Sequence, residues 1–368
     1  LQNICKKNLA KDFYFMKKLL FDWFSQKKRD LPWRHTKDPY LIWLSEVILQ
    51  QTQVVQGLSY YLNFCSKYPT IEDLANASED EVLKLWQGLG YYSRARNLHK
   101  TAKIVAENYN GVFPNTYDEI RTLPGIGDYT TAAIVSFAFD LCYPVLDGNV
   151  SRVISRMFGV ITPVDTPAGK AELMRILNKQ IDKKNPAEFN QAIMEFGAIQ
   201  CKPRGPLCET CPFQAECYAF RHKVVDILPM KKNKTAVKPR RLDYLVCIEN
   251  NHIWIKKRTN RDIWQGLYDF PEIDCRGAVG APLPTKKGGQ TPPLQLLDTC
   301  EHQLSHQKLT ISFWETEKLP ENLKSSAQKV PISQFFEFAT PKPIHNFAIK
   351  NQLIANSVEK KSLNVKKL

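Results

Sequence analysis

No apolar run in this 368-residue chain approaches the ~18 residues that a membrane-spanning helix needs. The longest, Ala132 to Phe139, ends at Asp140. No secretory signal is expected in the first 24 residues, which mix lysines with apolar side chains (Lys17, Lys18, Leu19, Leu20, Phe21) and show neither an apolar block nor a small-residue cleavage site. Asp12 and Asp22 also fit poorly with a basic transit peptide. A cytoplasmic protein with no membrane partner is expected. Acidic residues are few, 37 against 51 Lys and Arg, which leaves a net charge of +14. That balance points to acidic partners, nucleic acid first, although charge also keeps ordinary proteins in solution. A disulfide framework is not apparent. Six of the ten cysteines (Cys5, Cys65, Cys142, Cys247, Cys275, Cys300) are scattered singly, whereas Cys201, Cys208, Cys211 and Cys217 fall within 17 positions. This pattern suits a reduced compartment and one metal site. General disorder is excluded by 43% hydrophobic and 11% aromatic residues, and the length allows two or three domains.

No alternating strand pattern stands out before residue 240; the first 228 residues read as helix after helix. Leu44, Val47, Ile48, Val55, Leu58 and Leu62 recur at helical spacing and predict one long helix that includes Leu41 to Leu62. Ser78 with Glu81 forms a capping-box pattern, and Thr166-Pro167 opens another helix with Pro at its first position. Residues 229–241 (PMKKNKTAVKPRR) carry six of the basic residues and no acid, as a linker would. Strand patterns follow: Leu242–Glu249 and His252–Arg258 flank an Asn250-Asn251 turn, and Lys308–Glu315 alternates. Residues 276–294, rich in Gly and Pro, predict a loop. The second region is expected to be α+β.

Three groups carry chemistry. The spacing Cys201-x6-Cys208-x2-Cys211-x5-Cys217 suits four thiolates on zinc or on a [4Fe–4S] cluster. Zinc ribbons usually pair two tight Cys-x2-Cys hooks, and only one is present here. The run Leu123-Pro124-Gly125-Ile126-Gly127-Asp128-Tyr129 joins a turn to an Ala-rich helix. Glycines there let backbone approach a phosphate at the helix start, though alone the pattern more often marks a plain turn. Glu46 has Ile42, Trp43 and Leu49 as helical neighbours. A carboxylate so placed should be desolvated and protonated near neutral pH, a general acid, although a lone helix Glu is more commonly a surface group. Asp147 precedes Gly148-Asn149 at the start of a short helix ending near Gly159. It is an ordinary N-cap, or an ionised carboxylate able to stabilise a cation at a sugar carbon.

Together these pieces resemble the MutY adenine DNA glycosylases of the helix-hairpin-helix superfamily. The matching residues are Leu31-Pro32-Trp33-Arg34, Ser45-Glu46-Val47-Ile48-Leu49-Gln50-Gln51-Thr52 and Gly88-Leu89-Gly90-Tyr91-Tyr92-Ser93-Arg94. They continue with the glycine hairpin, Leu146–Val150, Phe189-Asn190-Gln191-Ala192 and the four cysteines, and cover almost all of residues 13–228. Beyond the linker the likeness is weaker, in Trp264–Pro271 and Leu304-Ser305-His306, which are similar to the family's Nudix-like domain. The resemblance implies a mainly α helix-hairpin-helix glycosylase region with an iron–sulfur module over 1–228 and a Nudix-like α+β mismatch-recognition domain over 242–356; by composition a basic linker over 229–241 joins them, and a basic tail over 357–368 is expected to be disordered.

It also implies roles. Glu46 would protonate adenine at N7 and Asp147 would stabilise the oxocarbenium ion, with Tyr129 and Asn149 assisting. Gln51, Thr52, Leu89 and Tyr91 would enter the base stack; Leu31, Trp33, Arg34 and Gln191 would form the adenine pocket. Gly125 and Gly127 would meet backbone phosphate, and Leu304, Ser305 and His306 would sense 8-oxoguanine in the opposite strand. Cys201, Cys208, Cys211 and Cys217 would hold a [4Fe–4S] cluster. The partner implied is double-stranded DNA with mismatched adenine, bound by a monomer. Tyr129 stands where endonuclease III-like relatives carry a Schiff-base Lys, so base removal without efficient strand cleavage is expected. Leu304 stands where the family commonly has Phe, Tyr268 replaces a common Trp, and no Nudix box follows residue 242, so pyrophosphohydrolase activity is not expected. Two other readings compete: an endonuclease III-like pyrimidine glycosylase and lyase, and a non-enzymatic zinc-containing DNA-binding protein, which would be colourless where an iron–sulfur protein is brown.

Overall fold

The computed structural model describes residues 17–232, 236–273, 294–351 and 353. The expected Gly/Pro-rich loop at 276–294, but for its last residue, and the expected tail at 357–368 lie outside them. The chain forms two compact units, Leu1–Ala75 with Lys100–Lys234, and Asn76–His99 with Thr235–Leu368. Residues 76–99, which lie within the helical region expected over 1–228, are thus grouped with the C-terminal residues. Among the described residues no helix is long and apolar enough to cross a membrane.

In chain order the helices are α1 (17–27), α2 (Pro39–Leu49), α3 (Val54–Lys67), α4 (Ile71–Asn76), α5 (Glu79–Trp86), α6 (Ser93–Asn108) and α7 (Tyr117–Thr122). They continue as α8 (Asp128–Phe139), α9 (Gly148–Phe158), α10 (Pro167–Gln180), α11 (Pro186–Glu195) and α12 (Tyr218–Arg221). Helix α8 buries every residue from Thr130 to Phe137, as a helix apolar around its whole circumference must. Ala132, Ala133 and Phe137 share one core with Leu20, Trp23 and Phe24 of α1, Ile42 of α2, Val150 and Val153 of α9, Leu173 and Leu177 of α10, and Phe189 and Phe196. The Ser78–Glu81 capping box and the Thr166 cap with Pro167 at the first helical position both form.

The helix expected through Leu62 is two helices. Gln51 takes a left-handed backbone (φ 56) and the helix stops at Leu49. The break shifts the phase of the apolar face: α3 buries Gly57, Tyr61 and Phe64, while Val55 is 88% exposed and Leu62 50%. Counting i, i+3 and i+4 positions across an unseen kink assigns the wrong face.

Among its described residues the second unit holds two four-stranded sheets. Strand β1 (Lys238–Val246) runs parallel to β7 (Gln307–Glu315), from Lys238 opposite Gln307 to Val246 opposite Glu315. Strand β5 (Glu272–Ile273) flanks β1, and β6 (Gln295–Gln303) flanks β7, in the order β5-β1-β7-β6. The other sheet centres on β3 (His252–Lys257), paired with β2 (Ile248–Glu249), β4 (Tyr268–Asp269) and β8 (Gln328–Pro331). Asn250 and Asn251, both left-handed, make the expected hairpin turn. Leu242–Glu249, however, splits at Cys247 and serves both sheets. The expected linker is also shorter, because β1 starts inside it, and Arg240 and Arg241 are paired with Asp262 and Asp243. Two short helices, α13 (Glu321–Lys324) and α14 (Lys342–Lys350), complete the unit. Phe347 of α14 stacks on Phe313 of β7 with centroids 3.9 Å apart. Segment 76–99 is tied into this unit by polar contacts: the Tyr268 hydroxyl donates to Asp80 at 2.9 Å, and Gln87 Nε2 to Thr340 at 3.2 Å.

Candidate active site

Helix α2 begins at Pro39, with the Asp38 carboxylate accepting from the Tyr40 amide, and its Ile42, Trp43, Leu44, Val47 and Ile48 are buried around Glu46. Glu46 is 7% exposed. Burial pushes its carboxyl up to about 7, aided by the negative Asp147 and opposed by a hydrogen bond from Tyr129. That bond runs from the Tyr129 hydroxyl to Glu46 Oε2 at 2.6 Å. Tyr129 is the second residue of α8, which Gly127 caps with its backbone alone. Gly125 is left-handed (φ 75), and a Cβ at Gly127 would meet nothing within 4 Å, so the turn leaves open space before the helix start.

Asp147 caps α9: Oδ1 accepts from the Val150 amide at 2.6 Å and Oδ2 from Asn149 Nδ2 at 2.8 Å. Burial raises its pKa, while those bonds and the Arg152 charge hold it down. Arg152 donates to Asn149 Oδ1 at 2.8 Å and to the carbonyls of Cys201 and Gly197, each at 2.7 Å. Gly197 leaves no room for a Cβ, which would lie 2.7 Å from that of Asn149. Glu46, Leu49, Gln50, Gln51, Thr52, Gln53, Tyr129, Asp147, Gly148 and Asn149 line one cavity of about 390 Å³. The structure thus gathers Glu46, Tyr129, Asp147, Asn149, Gln51 and Thr52 in one wall.

Leu31, Trp33, Arg34 and Gln191, expected in an adenine pocket, do not line that cavity. Leu31 is buried, and Trp33 meets Tyr61 edge-on at 5.2 Å. Gln191 lies half-buried on α11. Arg34 donates to Glu195 Oε2 at 2.8 Å and to the Arg29 carbonyl at 2.9 Å. Arg29 grips the same carboxylate through Nε and Nη2, both at 2.7 Å. Burial works against the Glu195 charge, but the hydrogen bonds from both arginines outweigh it and hold the carboxyl down at about 2. Sequence patterns give no sign of the Arg29–Glu195 pair, because 166 positions separate the two residues and no local motif joins them.

Leu89 and Tyr91 belong to the second unit. There they line a cavity of about 480 Å³ with Leu304, Ser305 and His306. Cys201, Cys208, Cys211 and Cys217 line a further cavity with Phe196, Phe213 and Arg156. Burial pushes the Cys211 thiol up to about 12 and raises Cys208 and Cys217 as well. Among the described residues, no three His, Cys, Asp or Glu side chains are grouped as a site for a single metal ion.

Residues 44–182 match the model of the HhH-GPD superfamily of base excision DNA repair proteins, and residues 243–350 match that of the NUDIX domain. An adenine DNA glycosylase of Buchnera aphidicola subsp. Schizaphis graminum is 33% identical over 90% of this chain and 97% of its own length. The adenine DNA glycosylase of Homo sapiens is 43% identical over 70% of this chain and 48% of its own length. A solved thermostable thymine-DNA glycosylase superposes with a TM-score of 0.54 at 31% identity, covering 58% of this chain and 99% of that one. The buried acid, the capped aspartate and these likenesses converge: the chain belongs to the adenine DNA glycosylase family of the HhH-GPD superfamily.

Proposed function

We propose that this DNA N-glycosylase removes adenine mispaired with 8-oxoguanine or guanine in duplex DNA, as a monomer and without cleaving the strand. The observation that carries the reading is the pair of carboxyls in one cavity, Glu46 pushed up to about 7 beside the Asp147 cap. Adenine inside a duplex is unreachable, so it must be extruded, and inserted side chains offset the lost stacking. Gln51 and Thr52, in the cavity wall, and Leu89 and Tyr91 are assigned that insertion.

Adenine leaves poorly until its N7 is protonated. Near neutral pH about half of a carboxyl with its pKa near 7 is in the acid form, and Glu46 supplies the proton. Bond breaking then leaves positive charge on the deoxyribose. Asp147, oriented by Val150 and Asn149, faces that charge as an anion. Tyr129 orients Glu46 through its 2.6 Å bond. Tyr129, which cannot form an imine with the sugar, lines the cavity, and none of the described residues lining it is a lysine; this favours hydrolysis over the pyrimidine glycosylase and lyase reading.

The four cysteines fit a [4Fe–4S] cluster. Four sulfur donors face one cavity, and the spacing of six, two and five residues suits the corners of a cubane. Bound there, the cluster would cross-link the Cys201–Cys217 loop and offset part of the charge of its four thiolates. Cytoplasmic placement and the division into a glycosylase region, a linker and a Nudix-like domain belong to the same reading.

Single-turnover base removal on duplexes with adenine opposite 8-oxoguanine, guanine or thymine tests it. Removal should be fastest opposite 8-oxoguanine, with an abasic product that stays unnicked until alkali is added. Equal rates opposite all three bases would refute the mismatch assignment, and prompt nicking would refute hydrolysis alone.

A further inference from the structure

Two arginines in the first turn of α6 hold loops on the wall of one cavity in the second unit. Arg94 donates through Nη2 to the carbonyls of Leu89, at 3.4 Å, and Gly90, at 3.2 Å. Its guanidinium lies 5.0 Å from the Trp86 ring centre and 5.8 Å from that of Tyr91. Arg96 donates through Nη1 to the Gln265 carbonyl at 2.5 Å. Gly90 directly precedes Tyr91, and Gln265 directly follows Trp264. Both aromatic residues are left-handed, Tyr91 at φ 47 and Trp264 at φ 59. L side chains resist that conformation, which persists only where the surroundings over-determine it. The Trp264 loop has a second brace: Asp262 accepts from both Arg240 and Arg258.

Tyr91 and Trp264 line the cavity that also contains Leu304, Ser305 and His306. We propose that Arg94 and Arg96 are positioning residues for opposite-base selectivity, holding Tyr91 and Trp264 as two aromatic walls around the base that stood opposite adenine. The inference rests on the mismatch reading above. Stacking between aromatic walls restricts the tilt of a purine but barely distinguishes guanine from 8-oxoguanine, because both present the same kind of π face. The distinction must come from polar groups at the base edge, here Ser305 and His306, and a misplacement of about 1 Å at such groups is costly. Loosening either wall should therefore reduce discrimination more than it reduces base removal as such. Trp264 also supplies the large ring that Leu304 lacks.

The test uses the full chain, with saturated single-turnover rates on duplexes carrying adenine opposite 8-oxoguanine and opposite guanine. Arg96→Ala and Arg94→Ala should each lower the 8-oxoguanine-to-guanine rate ratio about tenfold, the size expected for losing a hydrogen bond from a charged donor. Arg96→Lys, which keeps a donor for the Gln265 carbonyl, should restore most of the ratio. Thermal unfolding identifies any variant that fails to fold, and the Arg96 pair then decides alone. A parallel fall on both duplexes, or an unchanged ratio, would overturn the proposal while leaving the mismatch reading intact. If the unsubstituted protein removed adenine equally from both duplexes, this proposal would fall while the mismatch reading, which covers both bases, would stand; equal removal opposite thymine as well would overturn that reading too.

Discussion

The hydroxyl of Tyr129 donates to Oε2 of Glu46 across 2.6 Å, so a carboxyl pushed up to about 7 is held by the second residue of the helix that follows the glycine hairpin. The bond favours the charged carboxylate, while burial favours the neutral acid, and burial prevails. Glu46 must be protonated and Asp147 ionised, so the saturated rate of adenine removal should drop on the acid side as Asp147 takes up a proton and fall about tenfold per unit above roughly pH 7 as Glu46 loses its own. Tyr129→Phe removes the bond that stabilises the charge and should move this fall to higher pH. A pH profile of single-turnover rates checks both; an unchanged inflection in Tyr129→Phe would show that the bond does not tune the acid.

The same shift affects stability. Glu46 has a folded-state pKa of about 7 against an ordinary 4.5. A carboxyl whose pKa rises on folding binds its proton more tightly in the native state, so its contribution is full below about 4.5 and is lost as pH rises to about 7. Glu46→Gln should therefore abolish base removal and yet stabilise the fold, by about 1–3 kcal/mol above pH 7 and by little at pH 4. Urea unfolding of both proteins at the two pH values measures the difference.

Asp147 separates capping from catalysis. Asn caps helices about as well as Asp, so Asp147→Asn should keep α9 and the melting temperature nearly unchanged. It removes the anion beside the forming cation, and base removal should fall by at least about 10³-fold. Duplex binding, followed by fluorescence anisotropy, should stay within about threefold, because the phosphate interactions that dominate affinity are untouched. A rate within tenfold of the unsubstituted enzyme would remove Asp147 from the mechanism.

The basic segment around residue 235 divides by structure. Lys231 and Lys232 are exposed. Replacing both by Ala should lower duplex affinity and flatten the dependence of log K on log salt by about 0.9 for each phosphate no longer neutralised. Arg240→Ala should act differently, since Arg240 grips Asp262 with two bonds at 2.8 and 2.6 Å. It should lower the melting temperature of the second unit, with a smaller change in salt slope.

Cys211→Ala, which leaves no side-chain ligand, should weaken or abolish the visible absorption of the proposed cluster and speed backbone hydrogen exchange over Cys201–Cys217. Absorption equal to that of an iron-loaded unsubstituted protein would exclude Cys211 as a ligand.

Much of the site is legible in the sequence, because its parts are local. A carboxyl amid apolar helical neighbours, an Asp-Gly-Asn cap and four close cysteines each express their physics within a few residues, and the structure displays the burial of Glu46, the capping by Asp147 and a common cavity for the four thiols. The Ser78–Glu81 box and the Asn250-Asn251 turn are readable for the same reason. What depends on distant partners is not. The left-handed Gln51 splits an apolar periodicity into two helices, and the Arg29–Glu195–Arg34 cluster draws Arg34 into an ion pair away from the cavity wall. Segment 76–99 takes its place with the C-terminal residues through Asp80, Gln87 and Arg96. Sequence alone determined which chemical groups the protein carries and which short backbone turns present them. Tertiary structure decided which groups share a cavity and which are held by partners far along the chain, because burial and pairing depend on distances in space that no local pattern records.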